Sequence, residues 1–205
     1  MQLDVNDLAV RDLYQWMTRL ITPRPIAWVS TVSIDGVANL APFSFFNGVG
    51  ANPPTLMFCP ANRRDGSPKD TLANIRRTGH FVVNLVTESL TASMNQTAAE
   101  LDPDDDEFVI ADVEKMESTW VASPRVADAA AALECELHSV VTLGTGPGGA
   151  NLVIGRILGI HVDDRVVADD GFPDPALLDT IGRMGGNGYV RTTDRFEVKR
   201  PAPKR

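Results

Sequence analysis

No apolar run in the sequence approaches the ~20 residues that a membrane-crossing helix needs. No charged segment followed by an apolar stretch opens the chain as an export signal would, so a cytoplasmic location and no membrane partner are expected. Basic residues are scarce: 19 Lys and Arg stand against 27 Asp and Glu, a formal net charge of −8. That balance aids solubility and argues against nucleic-acid or anionic-membrane binding, which need a basic face. Cysteine is nearly absent, with Cys59 and Cys135 far apart in apolar runs, the pattern of two buried free thiols in a reducing compartment. His80, His138 and His161 show no metal-ligand spacing and no Cys-x-x-Cys accompanies them, so no metal is expected. There is no Gly-x-Ser-x-Gly elbow to support hydrolase chemistry, and no residue is assigned as catalytic.

The 205 residues suit a single domain spanning 1–205, with its core over about 20–190. Apolar residues at helical spacing predict a helix over 7–20, which Pro23 and Pro25 end. "IAWVSTVS" and "VANLAPF" flank Ile34-Asp35-Gly36 and read as a β-hairpin. "TLMFC", "HFVVNLV", "LECELHSVVTL" and "NLVIGRILGIHV" are further strands, rich in β-branched residues. Helical candidates lie at 67–77, 88–98 and 175–183. Tight turns between strands, without regular alternation of strand and helix, predict a mainly antiparallel barrel decorated by short helices. "LDPDDDEF" reads as a solvated acidic loop, and the basic tail "KRPAPKR" as a loosely packed end. Gly144, Gly146 and Gly149 match a dinucleotide fingerprint in spacing, but the β-branched run after them is no helix, so they read as a hairpin loop.

Two segments carry chemistry. In "TPRPIAWVSTVSIDGVANLAPFSFFNGVGANPPTLMFC", uncharged polar side chains alternate with aromatic ones. Trp28, Phe43, Phe45 and Phe46 can face a planar ring, while Ser30, Thr31, Ser44 and Asn47 can address heteroatoms on its edge. In "NRRDGSPKDTLANIRR", Ser67, Pro68 and Asp70 read as a helix start, with Ser67 at the N-cap. Lys69 and the hydroxyls of Ser67 and Thr71 at that start make an anion site on one reading, and an ordinary capped helix with surface arginines on the other. A phosphorylated flavin is one ligand with both a heteroatom-rich ring and a phosphate.

At these residues the chain resembles the flavin reductase-like, FMN-binding split-barrel family, in its flavoredoxin-type branch. The likeness rests on "TPRPIAWVST", "NLAPFSFFN", "NPPTLMF", "KDTLANI" and "FVVNLV", and continues through "AALECEL", "NLVIGRI" and "RMGGNGY". It implies a six-stranded antiparallel Greek-key split barrel that works as a homodimer, with noncovalent FMN at the subunit interface. It further implies ring contacts from Ser30, Thr31, Ser44 and Asn47, phosphate contacts from Ser67, Lys69 and Thr71, and a cofactor-binding role for Arg24. Arg183, Gly185 and Tyr189 are implied near the open ring face, where a substrate or nicotinamide approaches. The expected activity is that of an FMN-dependent oxidoreductase, with NADH or NADPH as candidate donor and flavin, a ferric complex or a small organic compound as acceptor. The alternatives are a non-enzymatic FMN electron carrier serving a partner enzyme, and a split barrel that binds another phosphorylated ligand.

Overall fold

Helix α1 (Val10–Leu20) leads into the short strand β1 (Arg24–Pro25), and β2 (Ala27–Val32), β3 (Ala38–Phe43), β4 (Phe46–Ala51) and β5 (Pro54–Phe58) follow. Next come helix α2 (Asp70–Thr78), strand β6 (His80–Leu85), helices α3 (Thr91–Gln96) and α4 (Glu107–Ile110), and the strand pair β7 (Lys115–Met116) and β8 (Arg125–Val126). Two long strands, β9 (Ala131–Thr142) and β10 (Asn151–Val162), precede helix α5 (Pro175–Leu178) and strands β11 (Ile181–Arg183) and β12 (Tyr189–Arg191). The computed structural model describes residues 1–201, and the end of the basic tail, 202–205, lies outside the described residues.

Seven strands form one sheet in the order β3-β2-β6-β9-β10-β5-β4, every neighbouring pair antiparallel. Its outermost members, β3 and β4, are separated along the chain only by Ser44 and Phe45. Laid flat, strands ~4.8 Å apart would set those edges ~29 Å apart. Three residue steps reach only ~11 Å. The sheet must therefore curl until its edges meet, a barrel split where β3 passes into β4. Counted as one bent strand, β3–β4 brings the total to six. β6 then lies beside β2 rather than beside β5, the return connection of a Greek key.

Alternation along the strands fills the interior. Ala27 and Val29 of β2 meet Phe43, Phe58, Phe81, Val83, Cys135 and Val153 from the other strands, with Leu72 and Ile75 of α2 packed among them. The Phe58 ring lies 5.1 Å from Phe43 and 5.4 Å from Phe81 between centroids. Each such buried side chain contributes roughly 1.5–3 kcal/mol over leaving it exposed. Gly155 makes room for this cluster, since a Cβ there would stand 2.4 Å from Phe81 Cζ. The opposite face of β2 is buried too: Trp28 packs with Met94, Phe108 and Val126, and its Nε1 donates to Thr97 Oγ1 at 2.8 Å.

Three local expectations are corrected. Helix α2 begins at Asp70, because Ser67 turns back and both its N–H and its hydroxyl donate to Asp65 Oδ1, which leaves Lys69 at the N-cap. The helix expected over 175–183 stops at Leu178, where Asp179 adopts φ 40°, and Ile181–Arg183 becomes a strand. The acidic run is not solvated throughout: Asp106 caps α4, and Glu107 and Phe108 are buried. The glycine-rich segment 144–149 is the β9–β10 hairpin loop, as expected. Cys59 and Cys135 are both free, Cys135 fully buried and Cys59 partly so.

Candidate functional site

A second, small sheet joins the two ends of the chain. β1 pairs with β11 and β11 with β12, setting Arg24 opposite Arg183 and Arg183 opposite Tyr189. The Arg183 guanidinium stacks 4.4 Å above the Tyr189 ring. Arg24 is only 4% exposed. It donates to the carbonyls of Thr18 at 2.6 Å, Ile21 at 2.7 Å and Met184 at 3.1 Å, and through Nε to Ser44 Oγ at 3.3 Å. Among the described residues no carboxylate pairs with either arginine. Burial lowers the Arg24 pKa, and the nearby Arg183 charge pushes the same way. A buried cation held only by neutral acceptors projects positive potential into the adjoining space.

That space is a chain of three contiguous clefts. The inner one, about 230 Å³, is lined by Tyr14, Pro42, Ser44, Asn95, Arg183 and Tyr189, among others. Through Pro42 and Ala98 it shares walls with a small pocket of about 80 Å³. Through Asn95, Arg183 and Tyr189 it adjoins an open outer cleft of about 710 Å³ that also includes Glu88 and Asn187.

The small pocket holds the N-terminus of α2, with Lys69, Asp70 and Thr71 in its wall beside Arg63. Lysine has no acceptor with which to cap a helix, and no side chain caps this one. The first N–H groups of α2 therefore lack intrahelical partners, and the helix dipole adds positive potential there. Arg63 is tied down by its ion pair with Asp70 and by donation to Pro68 O at 2.8 Å. The loop before α2 is held from behind by the β9–β10 hairpin. Asn62 receives Gly148 N–H and Asn151 Nδ2 and donates to the carbonyls of Gly146 and Gly149, so its backbone and amide are fully engaged. Gly66, at φ +85°, approaches Gly146 so closely that a Cβ would lie 3.2 Å from the Gly146 Cα.

Beneath the pocket runs a buried polar chain. Asn74 Nδ2 donates to Thr31 Oγ1 at 3.1 Å, while Thr31 and Thr71 donate to Asn39 Oδ1 at 3.3 and 2.8 Å. Asn39 Nδ2 donates to Glu107 Oε1 at 2.5 Å, and Leu40 N–H donates to Oε2 at 3.1 Å. Burial raises the Glu107 pKa above the ordinary glutamate range, partly offset by those hydrogen bonds, with Asp70 pushing it up as well.

The structure thus brings Ser44, Arg183 and Tyr189 together in the wall of the inner cleft, with Arg24 behind Ser44 rather than in the wall, and Lys69 and Thr71 at the small pocket. It does not bring the remaining expected residues to these walls by their side chains. Ser30 and Thr31 are consecutive in β2, so the pleat sends them to opposite faces. Ser30 donates to Pro124 O at 2.5 Å and receives Asn84, whereas Thr31 sits one hydrogen bond behind Asn39. Asn47 is exposed on β4, its Oδ1 accepting from Gly48 N–H. Ser67 is turned to Asp65. Gly185 packs against Arg19, whose Cγ would lie 2.4 Å from an added Cβ. Asn39, Asn62 and Glu107, which frame the small pocket and its loop, are not among the residues expected from the sequence. Asn39 stands alone in the apolar "VANLAPF", and Glu107 precedes the apolar Phe108-Val109-Ile110, so an isolated polar residue at an apolar boundary was the available signal. Among the described residues there is no cluster of metal-ligating side chains, and no helix is long and apolar enough to cross a membrane.

Comparison with known proteins agrees with this architecture. Nitrilotriacetate monooxygenase component B of Bacillus cereus is 34% identical, covers 97% of this chain and 98% of its own, and superposes with a TM-score of 0.92. The 2-nitrobenzoate 2-nitroreductase NbaA of Pseudomonas fluorescens is 29% identical over 98% of this chain and 96% of its own, TM-score 0.88. A Shewanella frigidimarina protein with a split barrel domain is 27% identical over 98% of this chain and its full length, TM-score 0.84. The model of the flavin reductase like domain matches residues 17–185, and the chain belongs to that family.

Proposed function

We propose that the protein is an FMN-dependent oxidoreductase that holds its flavin noncovalently. The observation that carries this reading is the continuity of the three clefts: an anion pocket at an uncapped helix start, a partly apolar inner cleft under positive potential, and an open outer cleft. Such a sequence of spaces fits a phosphate, a ring system and an approaching second substrate. Lys69 and the first N–H groups of α2 would hold the phosphate, and Ser44 with the Pro42–Ser44 backbone the ring edge. The flavin supplies the electron transfer itself when bound. The protein's residues position it, shield it from water and supply charge. Arg183 in the wall and Arg24 behind Ser44, with no carboxylate lining the inner cleft, favour negative charge there. No strong acid or base is required of the protein for that chemistry.

The similar proteins are a monooxygenase component and a nitroreductase, which supports an oxidoreductase; NADH or NADPH as donor and flavin, a ferric complex or a small organic compound as acceptor are our proposal for its substrates. A homodimer with the flavin near its interface is supported by the apolar side chains that α1 and β4 leave exposed, Trp16, Leu20 and Val49 among them. The test is reduction of FMN-loaded protein by NADH and by NADPH, followed by turnover with an acceptor. Rapid reduction and multiple turnovers support the enzyme. Reduction only by a protein partner supports the electron-carrier alternative instead.

A further inference from the structure

Arg24 and Arg183 stand opposite each other across β1 and β11, yet the fold uses them differently. Every guanidinium nitrogen of Arg24 donates to the chain, to Ser44 Oγ and to the carbonyls of Thr18, Ile21 and Met184. Among the described residues the Arg183 guanidinium has no hydrogen-bond acceptor and no carboxylate partner. It is held 4.4 Å over the Tyr189 ring, a contact that occupies a face and leaves the N–H groups at the guanidinium edge free.

Arg183 is the one positively charged residue in the walls of the inner and outer clefts, and it lines both. The one carboxylate there is Glu88, which lines the outer cleft only. An anion entering these spaces therefore has a single place to settle. Its arrival would also relieve the repulsion between Arg183 and the buried Arg24, whose pKa the Arg183 charge depresses.

The guanidinium fork matches a carboxylate in shape and charge, with two parallel N–H···O bonds and one unit of each sign. A phosphomonoester carries about −1.5 to −2 charge, and would leave charge unmet in a cleft that also holds Glu88. The pyrophosphate of a nicotinamide dinucleotide is set a ribose away from its reacting ring, whereas Arg183 stands in the wall of the inner cleft itself.

Resting on the FMN reading above, we infer that Arg183 anchors the electron acceptor by a carboxylate, and that the acceptor is a planar organic carboxylate lying over the ring held in the inner cleft. Planarity follows from the flat ring on which its body rests. Tyr189 fixes the fork from behind, and the fork fixes the acceptor's orientation over the ring. Arg183 thereby selects by charge among acceptors of one shape.

The experiment uses full-length protein, first titrated with FMN and then, FMN-loaded, with two unreactive probes of one shape, benzoate and benzamide. Perturbation of the flavin absorption is followed in the wild type, Arg183→Gln and Arg183→Lys. The wild type is expected to bind benzoate at least about tenfold more tightly than benzamide, the lower end of what a hydrogen bond to a charged group confers. Arg183→Gln is expected to erase that preference while FMN is retained. Arg183→Lys is expected to restore part of it, because an ammonium keeps the charge and loses the fork. Benzoate that does not bind, benzoate and benzamide bound alike, or a preference that survives in Arg183→Gln overturns the inference and leaves the FMN reading intact. Loss of FMN from Arg183→Gln also overturns it, by placing Arg183 on the cofactor. Should Arg183→Gln fail to fold, the two probes on the wild type still decide the matter. If the protein binds no FMN, the FMN reading itself fails and the acceptor site falls with it.

Discussion

Lys69→Ala and Thr71→Ala separate two roles that lie two residues apart. Thr71 is 1% exposed and its hydroxyl proton goes to Asn39 Oδ1 at 2.8 Å, so the hydroxyl has no proton left for a phosphate oxygen. Lys69 is half-buried at the N-cap, and no carboxylate pairs with it among the described residues. A hydrogen bond to a charged group is worth roughly 1.5–3 kcal/mol, which converts to about 12- to 150-fold in affinity. Lys69→Ala is therefore expected to weaken FMN binding on that scale and to flatten its salt dependence, since one screened charge contact is lost. Thr71→Ala removes a neutral buried hydrogen bond, costing about 1 kcal/mol of stability, and lowers FMN affinity by less. Calorimetric titration at two salt concentrations, with thermal melts of each variant, reads both effects. An FMN affinity unchanged in folded Lys69→Ala, or a Thr71→Ala loss larger than that of Lys69→Ala, refutes the assignment.

Arg24→Met leaves the carbonyls of Thr18, Ile21 and Met184 without their shared donor, and three acceptors left unsatisfied, each toward the lower end of ~1–3 kcal/mol because two of the bonds are only partly buried, cost ~3–5 kcal/mol together. For a chain of this size that is a fall of about 6–20 °C in Tm, and a melt within 2 °C of the wild type would contradict it. Glu107 has a folded-state pKa raised above its unfolded value, so its contribution to stability is present below the ordinary glutamate range and lost as pH rises through the raised pKa. Relative to the wild type, Glu107→Gln should therefore gain in Tm as pH climbs through that window, and parallel pH profiles would exclude the effect. Arg183→Ala should raise the KM for the second substrate about tenfold while FMN is retained, since Arg183 divides the inner from the outer cleft. Loss of FMN with an unchanged KM would move Arg183 to the cofactor.

Local pattern carried much of this fold. The β-branched, apolar run 151–162 could only be a long strand, which also decided that the three glycines before it form a hairpin loop. What local pattern missed came from contacts distant in sequence. Helix α5 ends early because Ile181–Arg183 is claimed by pairing with Arg24–Pro25, from the other end of the chain. The row Arg24, Arg183, Tyr189 exists only in that small sheet, although its members were singled out by resemblance. Ser67 has the residue type of an N-cap, but Asp65 two positions earlier captures it first. Ser30 and Thr31 read as one polar edge, while the period of a strand divides them between two faces. Glu107 looked like the end of an acidic loop. Its burial follows from Phe108, which the core draws in beside Trp28.

On the proposed function, one FMN occupies the small pocket and the inner cleft, and the outer cleft receives the second substrate. The most direct test is the visible spectrum of protein incubated with excess FMN and then desalted, compared with the same treatment of Lys69→Ala. The account predicts that the wild type retains peaks near ~370 and ~450 nm, the absorption of oxidised flavin, and that the variant loses most of them. A folded wild-type protein that elutes colourless and binds no FMN on titration would contradict it.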